Sequence, residues 1–309
     1  ISLKECVERV GLYLNGKSAY TLYQKDFSLT YFVDKTDILD ELIPLLELKT
    51  DVSGNAGFGR GKSPEYICIT RPRRFGKTVM ANMVASFFGK GADSSGIFDH
   101  LRAAGYEWYQ RHLNQHNVIY IRFNEMPNNC RSYERYIARI ERGLITDLRK
   151  AYPDAEIEKE DDVWDALNKA FEYGDGDKFI FVIDEWDYIY HQDFMTDEEK
   201  RLFTRFLSIL LKDQPYVEMV YMTGILPISK YSKGSELNMF FEFSMAVGEK
   251  YREYFGFTDE EVDELYRRYI EVETEPKVTR EELRLWYDGY QTASGRRLYN
   301  THFVVGALS

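Results

Sequence analysis

The most informative part of the sequence is Thr70-Arg71-Pro72-Arg73-Arg74-Phe75-Gly76-Lys77-Thr78, because it ends in the Gly-Lys-Thr triplet of a phosphate-binding loop. The standard pattern is G-x-x-x-x-G-K-[ST], and here Arg71 stands in place of the first glycine. Two further segments carry the same kind of triplet: residues 11–18 match the whole pattern, and Gly61-Lys62-Ser63 matches its end. A phosphate loop works between a buried strand and a helix, whose N-terminus favours negative charge. The flanking sequence therefore decides among the three segments.

The flanks favour the segment that departs from the standard pattern. Residues 66–70 form a short apolar run of the strand type, and Thr78–Phe88 has the apolar spacing of a helix. The stretch Ile1–Val10 is too charged for a central strand, and Pro64 opposes a helix directly after the third triplet. The sequence thus predicts the phosphate loop at 70–78. A helix start whose Lys77 faces solvent is the plainer alternative that the loop alone leaves open.

Two acids follow another buried strand. The apolar run Phe179–Ile183 leads directly into Asp184 and Glu185. In P-loop ATPases the first acid of such a pair orders Mg²⁺, and the second activates the attacking water. Acids also end strands as helix caps or solvated loop residues, but their position after a strand-loop-helix unit with Gly-Lys-Thr favours the metal and catalytic roles.

Side chains around these motifs complete the predicted site. Thr223 ends the next apolar strand, where it either senses the γ-phosphate or is an ordinary loop threonine. The loop arginines either contact phosphates or an acid, or they form a solvated basic loop. We predict Lys77, Glu185 and Thr223 as catalytic residues, and Thr78 and Asp184 as metal ligands. The nucleotide-binding residues predicted in the loop are Arg73, Arg74, Phe75, Gly76, Lys77, Thr78 and Val79. No Asn-Lys-x-Asp guanine-reading motif occurs in the chain, which favours adenine by elimination.

The alternation of strands and helices predicts an α/β fold. Continuous apolar runs suit strands that are buried on both faces of a mostly parallel sheet. After about residue 248 short charged helices with capping boxes replace this pattern. We therefore predict a P-loop domain over residues 1–248 and a small helical subdomain over residues 249–309.

Composition and charge exclude several classes of protein. The 309 residues are 44% hydrophobic and 29% charged, which is typical of a globular chain with a full core. No apolar run reaches the roughly 18 residues of a membrane helix, so we expect no membrane contact. The net charge of −11 gives no sign of a nucleic-acid surface. Three widely spaced cysteines, Cys6, Cys68 and Cys130, fit reduced thiols and hence a cytoplasmic protein.

With these motifs placed, the chain resembles the bacterial AAA-ATPase-like family, whose members typically join a P-loop domain to a PD-(D/E)XK nuclease-like domain. The likeness covers nearly all of residues 11–309. Its specific runs are residues 71–77, where arginine in place of the first glycine is usual in that family, and Trp286–Tyr290. Further matching runs are Gly11–Asn15, Tyr31–Thr36, Asp93–Ser94, Ile183–Asp187, Thr223–Ile225, Phe255–Thr258 and Leu298–Asn300.

The resemblance implies a P-loop NTPase of the additional-strand class with strand order 5-1-4-3-2. It also implies that Asp34 and Lys35 lie near the nucleotide, and that a nuclease-like domain would follow Ser309. Trp186 and Thr301 stand where the family has tyrosine and commonly proline, and we expect neither to touch the chemistry.

The sequence as a whole predicts the ATP-binding, Mg²⁺-dependent ATPase module of a larger bacterial protein, which controls an attached nuclease-like effector. We expect ATP and ADP as ligands, with catalysis by positioning and electrostatics. Self-association is allowed, and nucleic acid is expected only through the further domain, if at all. Two alternatives stay open: a nucleotide-binding switch or scaffold without hydrolysis, and a phosphotransferase that acts on a small molecule.

Overall fold

In the part of the chain that the structure describes, five parallel strands form the central sheet. They are β1 Tyr66–Thr70, β2 Asn117–Arg122, β3 Phe179–Asp184, β4 Val217–Gly224 and β5 Phe241–Phe243. Their order is β2-β3-β4-β1-β5, and each neighbouring pair is parallel. Read from the β5 edge the order is 5-1-4-3-2, so β4 lies between the strand before the phosphate loop and the strand before the acid pair. The predicted α/β class with a mostly parallel sheet is confirmed.

A computed structural model describes residues 11–47, 65–231, 235–245, 250–291 and 295–309. The triplet Gly61-Lys62-Ser63, the charged stretch Ile1–Val10 and the predicted boundary between residues 248 and 249 lie outside these ranges. Among the helices within them, none combines the length and the apolar character that crossing a membrane takes.

Strands β1 and β3 are largely apolar and fully buried because helices cover both faces of the sheet. In β1 the side chains of Tyr66 and Cys68 join one core, and those of Ile67 and Ile69 join the other. Strand β3 divides in the same way, and all six of its residues are buried. Each continuous apolar run is therefore two alternating faces that are both apolar.

The helices of the sheet domain pack in two layers. They are α1 Ser18–Phe27, α2 Ile38–Glu47, α3 Lys77–Phe88, α4 Ser95–Phe98, α5 Tyr109–His112, α6 Tyr133–Ala151, α7 Val163–Tyr173 and α8 Asp197–Leu211. Helices α1, α2 and α3 contribute to one core, and α6, α7 and α8 contribute to the other. Every residue of α3 from Met80 to Phe88 is buried, so the helix that follows the phosphate loop is fixed in the interior.

The C-terminal residues form a third, smaller core. The elements of this part of the chain are α9 Asp259–Val272, α10 Arg280–Tyr287, β6 Asp288–Gln291, β7 Arg297–Tyr299 and α11 Thr301–Leu308, and the core takes residues from α9, α10, β7 and α11. Both capping boxes predicted for this part are present. The subdomain expected to be helical thus also contains an antiparallel strand pair. These strands are four and three residues long, which is too short for a periodic apolar pattern to reveal them.

The segment that matches the standard loop pattern, residues 11–18, has a different structural role. It runs beside β2, where Leu14 forms a bridge with Ile119. The backbone N–H groups of Tyr13 and Leu14 donate to one carboxylate oxygen of Asp147, at 2.6 and 3.2 Å. A Cβ on Gly11 would lie 2.4 Å from Cγ of Asp147. This turn therefore holds a carboxylate of α6, and its match to the phosphate-loop pattern is a coincidence.

We expect Asp147→Ala to lower the free energy of unfolding by about 2–4 kcal/mol, because it leaves two N–H groups without their acceptor. Denaturant unfolding measures the change. The matched control is Glu172→Ala, which removes an exposed acid of α7 and should change the free energy by less than about 0.5 kcal/mol. Equal unfolding midpoints for the two variants would contradict this role of Asp147.

Candidate functional site

The loop between β1 and α3 contains two residues in the left-handed region. Arg74 has φ 68°, and Gly76, which precedes the first residue of α3, has φ 80°. A Cβ on Gly76 would meet nothing within 4 Å, so glycine is favoured there by its backbone conformation and not by crowding. The helix begins at Lys77, directly after this turn, as a phosphate loop requires.

Lys77 lies inside the loop. It is only 5% exposed, and its Nζ donates to the carbonyl oxygens of Arg71 at 3.0 Å and Pro72 at 2.8 Å. Burial lowers the pKa of its ammonium, while the charges of Asp184 and Glu185 oppose that shift. The alternative in which Lys77 faces solvent is therefore wrong.

Asp184 is the last residue of β3, and it lies close to Thr223 near the end of β4 and to Thr78 at the start of α3. Its side chain is fully buried, and Oδ1 accepts a hydrogen bond from Oγ1 of Thr223 at 2.5 Å. Burial raises the pKa of the carboxyl group, and the hydrogen bond from Thr223 and the nearby hydroxyl of Thr78 oppose the shift. The other oxygen, Oδ2, has no hydrogen-bond partner among the described residues. Carboxylate and hydroxyl oxygens of this kind are ligands that suit Mg²⁺.

Glu185 follows with an unusual backbone. Its φ is 50°, a left-handed conformation that costs a residue other than glycine about 1–2 kcal/mol. Such local strain concentrates at functional sites. Burial, and next the charge of Asp184, raise the pKa of the half-buried Glu185 carboxyl group, while Lys77 lowers it. A carboxylate with a raised pKa is a stronger base near neutral pH.

The turn after β4 fixes the acid pair through residues that the sequence did not single out as site residues. Asp187 is buried and accepts hydrogen bonds from the N–H groups of Ile225 and Leu226. The indole of Trp186 lies so close to Gly224 that a Cβ there would be 2.5 Å from the ring. The glycine directly after Thr223 is the sequence feature from which this close packing could have been predicted.

Arg71 points away from the loop interior. It is 1% exposed, and Nη1 donates to the carbonyl oxygens of Thr70 at 2.8 Å and Phe243 at 2.7 Å. Nη2 donates to the carbonyl of Tyr251 at 3.3 Å, and the guanidinium carbon lies 5.0 Å from the ring centroid of Phe255. Burial lowers the pKa of Arg71 to about 10. Arg71 therefore braces the loop against β5 and the segment that follows it.

The other loop residues lie in two environments. Arg73 is exposed, and its charge acts on both Lys77 and Glu185, which places it at the mouth of the site. The exposed Arg74 lies over the ring of Phe303, 5.3 Å from its centroid.

A largely apolar cavity of about 280 Å³ adjoins the loop. The loop and α3 contribute one wall, and the N-terminal segment and the C-terminal subdomain contribute the others. Lining residues of these walls include Phe75, Gly76, Val79, Met83, Phe32, Val33, Gly256, Phe257 and His302. The predicted binding residues Phe75, Gly76 and Val79 thus face one cavity.

Asp34 and Lys35, which the resemblance implies lie near the nucleotide, have different surroundings from each other. The Asp34 carboxylate accepts hydrogen bonds from Thr36 and from the N–H of Arg102, and Asp34 does not line this cavity. Lys35 does line it, but its Nζ donates to the carbonyl of Glu253 at 2.5 Å and forms an ion pair with Glu261. Burial lowers the pKa of Lys35, and Glu261 opposes the shift.

Comparison with known proteins gives a family. The model of the family described as Predicted AAA-ATPase matches residues 61–233, more than half of the 309 residues. An "Uncharacterized protein in vnfD 5'region" of Azotobacter chroococcum mcd 1 is 26% identical over 278 residues. The match covers 87% of this chain and 46% of that protein, so the chain spans about half the length of this curated relative. No solved structure matches the chain.

Asp184→Asn tests the cost of the buried carboxylate. Because burial raises its pKa, the folded state binds the proton more readily than the unfolded state, and the free energy of unfolding falls as the pH rises through that pKa. Asparagine carries no charge, so we expect the variant to be more stable by about 1 kcal/mol at pH 7. The gain should vanish as the pH falls below the ordinary aspartate value of 3.8.

Thermal unfolding at several pH values, with the exposed Asp193→Asn as control, measures this difference. A variant that is no more stable than the parent at pH 7 would show that Asp184 is not under electrostatic strain.

Proposed function

The chain belongs to the predicted AAA-ATPase family, and from this membership we propose that it binds ATP with Mg²⁺ and hydrolyses it at the carboxyl edge of the sheet. One observation carries the proposal: the buried Asp184 carboxylate has an unpartnered oxygen and lies beside Thr78 and Thr223 at the start of α3. A site of that composition suits phosphates accompanied by a hard cation.

The donor set fits the metal. Thr78 and Asp184 would hold Mg²⁺, which when bound neutralises charge on the β- and γ-phosphates. Within the described part of the chain, Asp184 Oδ2 has no competing hydrogen-bond donor. Thr223 donates to Oδ1 of Asp184 and so orients the carboxylate, which makes it a positioning residue in this proposal.

Lys77 and Glu185 supply the remaining chemistry. The Lys77 ammonium exchanges the carbonyl oxygens of Arg71 and Pro72 for oxygens of the β- and γ-phosphates. Glu185 accepts a proton from water as the water oxygen bonds to the γ-phosphorus, the bond to the bridging oxygen breaks, and ADP leaves. The raised pKa of Glu185 suits this transfer, because a base acts best when its pKa lies near the working pH.

The apolar cavity beside Gly76 would take the adenine base. Ligand sites are largely apolar with a few polar groups that fix orientation, and the polar residues that line this cavity include Asp26, Lys35, Thr301 and His302. Its position next to the loop suits a ligand with a planar ring at one end and phosphates at the other. Residues of the C-terminal subdomain also line this cavity, so in this proposal both parts of the chain would contact the base.

We also propose that the module controls a further domain. The resemblance to proteins with a nuclease-like domain supports this step, as does a curated relative of which the chain covers only 46%.

Lys77→Ala and Glu185→Gln test the two roles separately. We expect Lys77→Ala to weaken Mg·ATP binding at least about tenfold, because it removes the charged hydrogen bonds to phosphate. Glu185→Gln should keep the affinity within about threefold and lower turnover by about 10²–10⁴-fold. Isothermal titration and phosphate release measure the two quantities, with the exposed Arg142→Ala as control.

If Lys77→Ala binds Mg·ATP as tightly as the parent, the proposed site is wrong. If the parent binds tightly and does not hydrolyse ATP, the nucleotide-binding switch is the better description.

Val79→Phe tests the base cavity. The larger side chain fills space that the base would occupy, so we expect Mg·ATP affinity to fall about tenfold or more. Binding of inorganic triphosphate, which has no base, should stay unchanged. Val272→Phe, at a 79% exposed position, is the matched control. Equal losses for ATP and triphosphate would place the base elsewhere.

A further inference from the structure

The outer side of the phosphate loop is hydrogen-bonded to the start of α11. Nδ2 of Asn300 donates to the carbonyl of Arg73 at 3.3 Å, and Oγ1 of Thr301 donates to the carbonyl of Arg74 at 2.9 Å. These carbonyls belong to the turn that leads into Gly76. We call Arg71, Asn300 and Thr301, with the loop carbonyls that contact the last two, the loop–helix junction.

Asn300 serves both sides of the junction. Its Oδ1 accepts hydrogen bonds from the N–H groups of His302 and Phe303, which caps α11. Its Nδ2 holds the loop. One side chain therefore fixes the first turn of α11 and the phosphate loop together, so displacement of either disturbs the other.

Thr301 strengthens this contact. It stands where proline is common in the resembling family, and we expected it to lie away from the chemistry. Its hydroxyl instead contacts the loop that would hold the phosphates. Proline has no such donor.

Arg71 is the inner link of the junction. Its carbonyl accepts a hydrogen bond from Lys77, while its guanidinium holds the carbonyls of Phe243 and Tyr251. The forked guanidinium can join several carbonyls at once, which glycine at this position cannot do. Gly256, in the segment that follows Tyr251, donates its N–H to the carbonyl of Phe75 at 3.3 Å. The carbonyl of Arg71 thus accepts a hydrogen bond from Lys77, and its guanidinium contacts the segment that leads into the C-terminal subdomain.

We propose that Arg71 is a positioning residue for the nucleotide site and that, with Asn300 and Thr301, it couples occupancy of the loop to the position of α11. The inference rests on the proposed function. When Lys77 turns to phosphate, the carbonyls of Arg71 and Pro72 lose a donor, and the loop shifts against its contacts with the C-terminal subdomain. By thermodynamic reciprocity, a change that moves α11 alters nucleotide affinity by the same factor.

Hydrogen exchange of the whole 309-residue chain, with and without Mg·ADP, tests the coupling. In the parent we expect Mg·ADP to slow exchange of the amides in residues 301–308 about fivefold or more. Arg71→Ala should still bind Mg·ADP but lose most of this protection, and Arg71→Lys should restore part of it. Arg142→Ala, an exposed arginine of α6, should behave as the parent does.

Thr301→Pro is a second test of the coupling, which does not depend on whether Arg71→Ala folds. Residue 301 is the first residue of α11, a position where helices accept proline, so the variant removes the hydroxyl contact and keeps the helix. Because Thr301 also lines the apolar cavity, the Mg·ADP affinity of this variant is measured first, and exchange is compared at saturating Mg·ADP, where we expect weaker protection of α11.

The outcomes separate the two proposals. Absence of Mg·ADP binding by the parent overturns the proposed function. Binding by the parent with unchanged exchange in α11, or with equal protection in the parent, Arg71→Ala and Thr301→Pro, overturns the coupling alone.

Discussion

Burial of charged side chains at the carboxyl edge of the sheet governs the electrostatics of the site. Lys77, Asp184 and Glu185 are each shifted towards their neutral forms by loss of water. Lys77 donates hydrogen bonds to loop carbonyls, and Asp184 accepts one from the hydroxyl of Thr223, so that protein groups replace part of the lost water. These partners come from different elements, so the site exists only once β1, β3 and β4 have paired. Burial of these charged groups destabilises the folded protein when no ligand is bound. It also leaves them suited to pair with the opposite charges of a ligand.

Short-range patterns predict much of the sheet and the loop. The strand before Arg71 and the helix after Lys77 are visible as apolar spacing, and the acid pair is visible because it interrupts an apolar run. The structure brings Lys77, Asp184 and Thr223 together as expected, since parallel strands end at one edge. Their roles in binding and catalysis stay predictions.

Long-range partners could not be predicted from the sequence. Arg71 donates hydrogen bonds to the carbonyl oxygens of residues that are 172 and 180 positions further along the chain. Every residue has a carbonyl oxygen, so the identity of these residues does not reveal the contact. The proximity of Asp34 to the nucleotide, which the resemblance implies, stays a prediction. Its carboxylate accepts hydrogen bonds from Thr36 and Arg102, and the sequence did not indicate these partners. The strand pair β6–β7 could not be predicted either, because its strands are too short to show an alternating pattern.

The turn at residues 11–18 bears on how a mutational survey of this protein would be interpreted. Gly11 has no room for a Cβ, because the Asp147 carboxylate occupies that space. Gly76 has open space and needs glycine for its backbone angle. A scan scored only by activity would thus report two intolerant glycines, each in a Gly-Lys motif, and would appear to support two phosphate sites. Soluble protein yield separates them, since only one of the two glycines is held by packing.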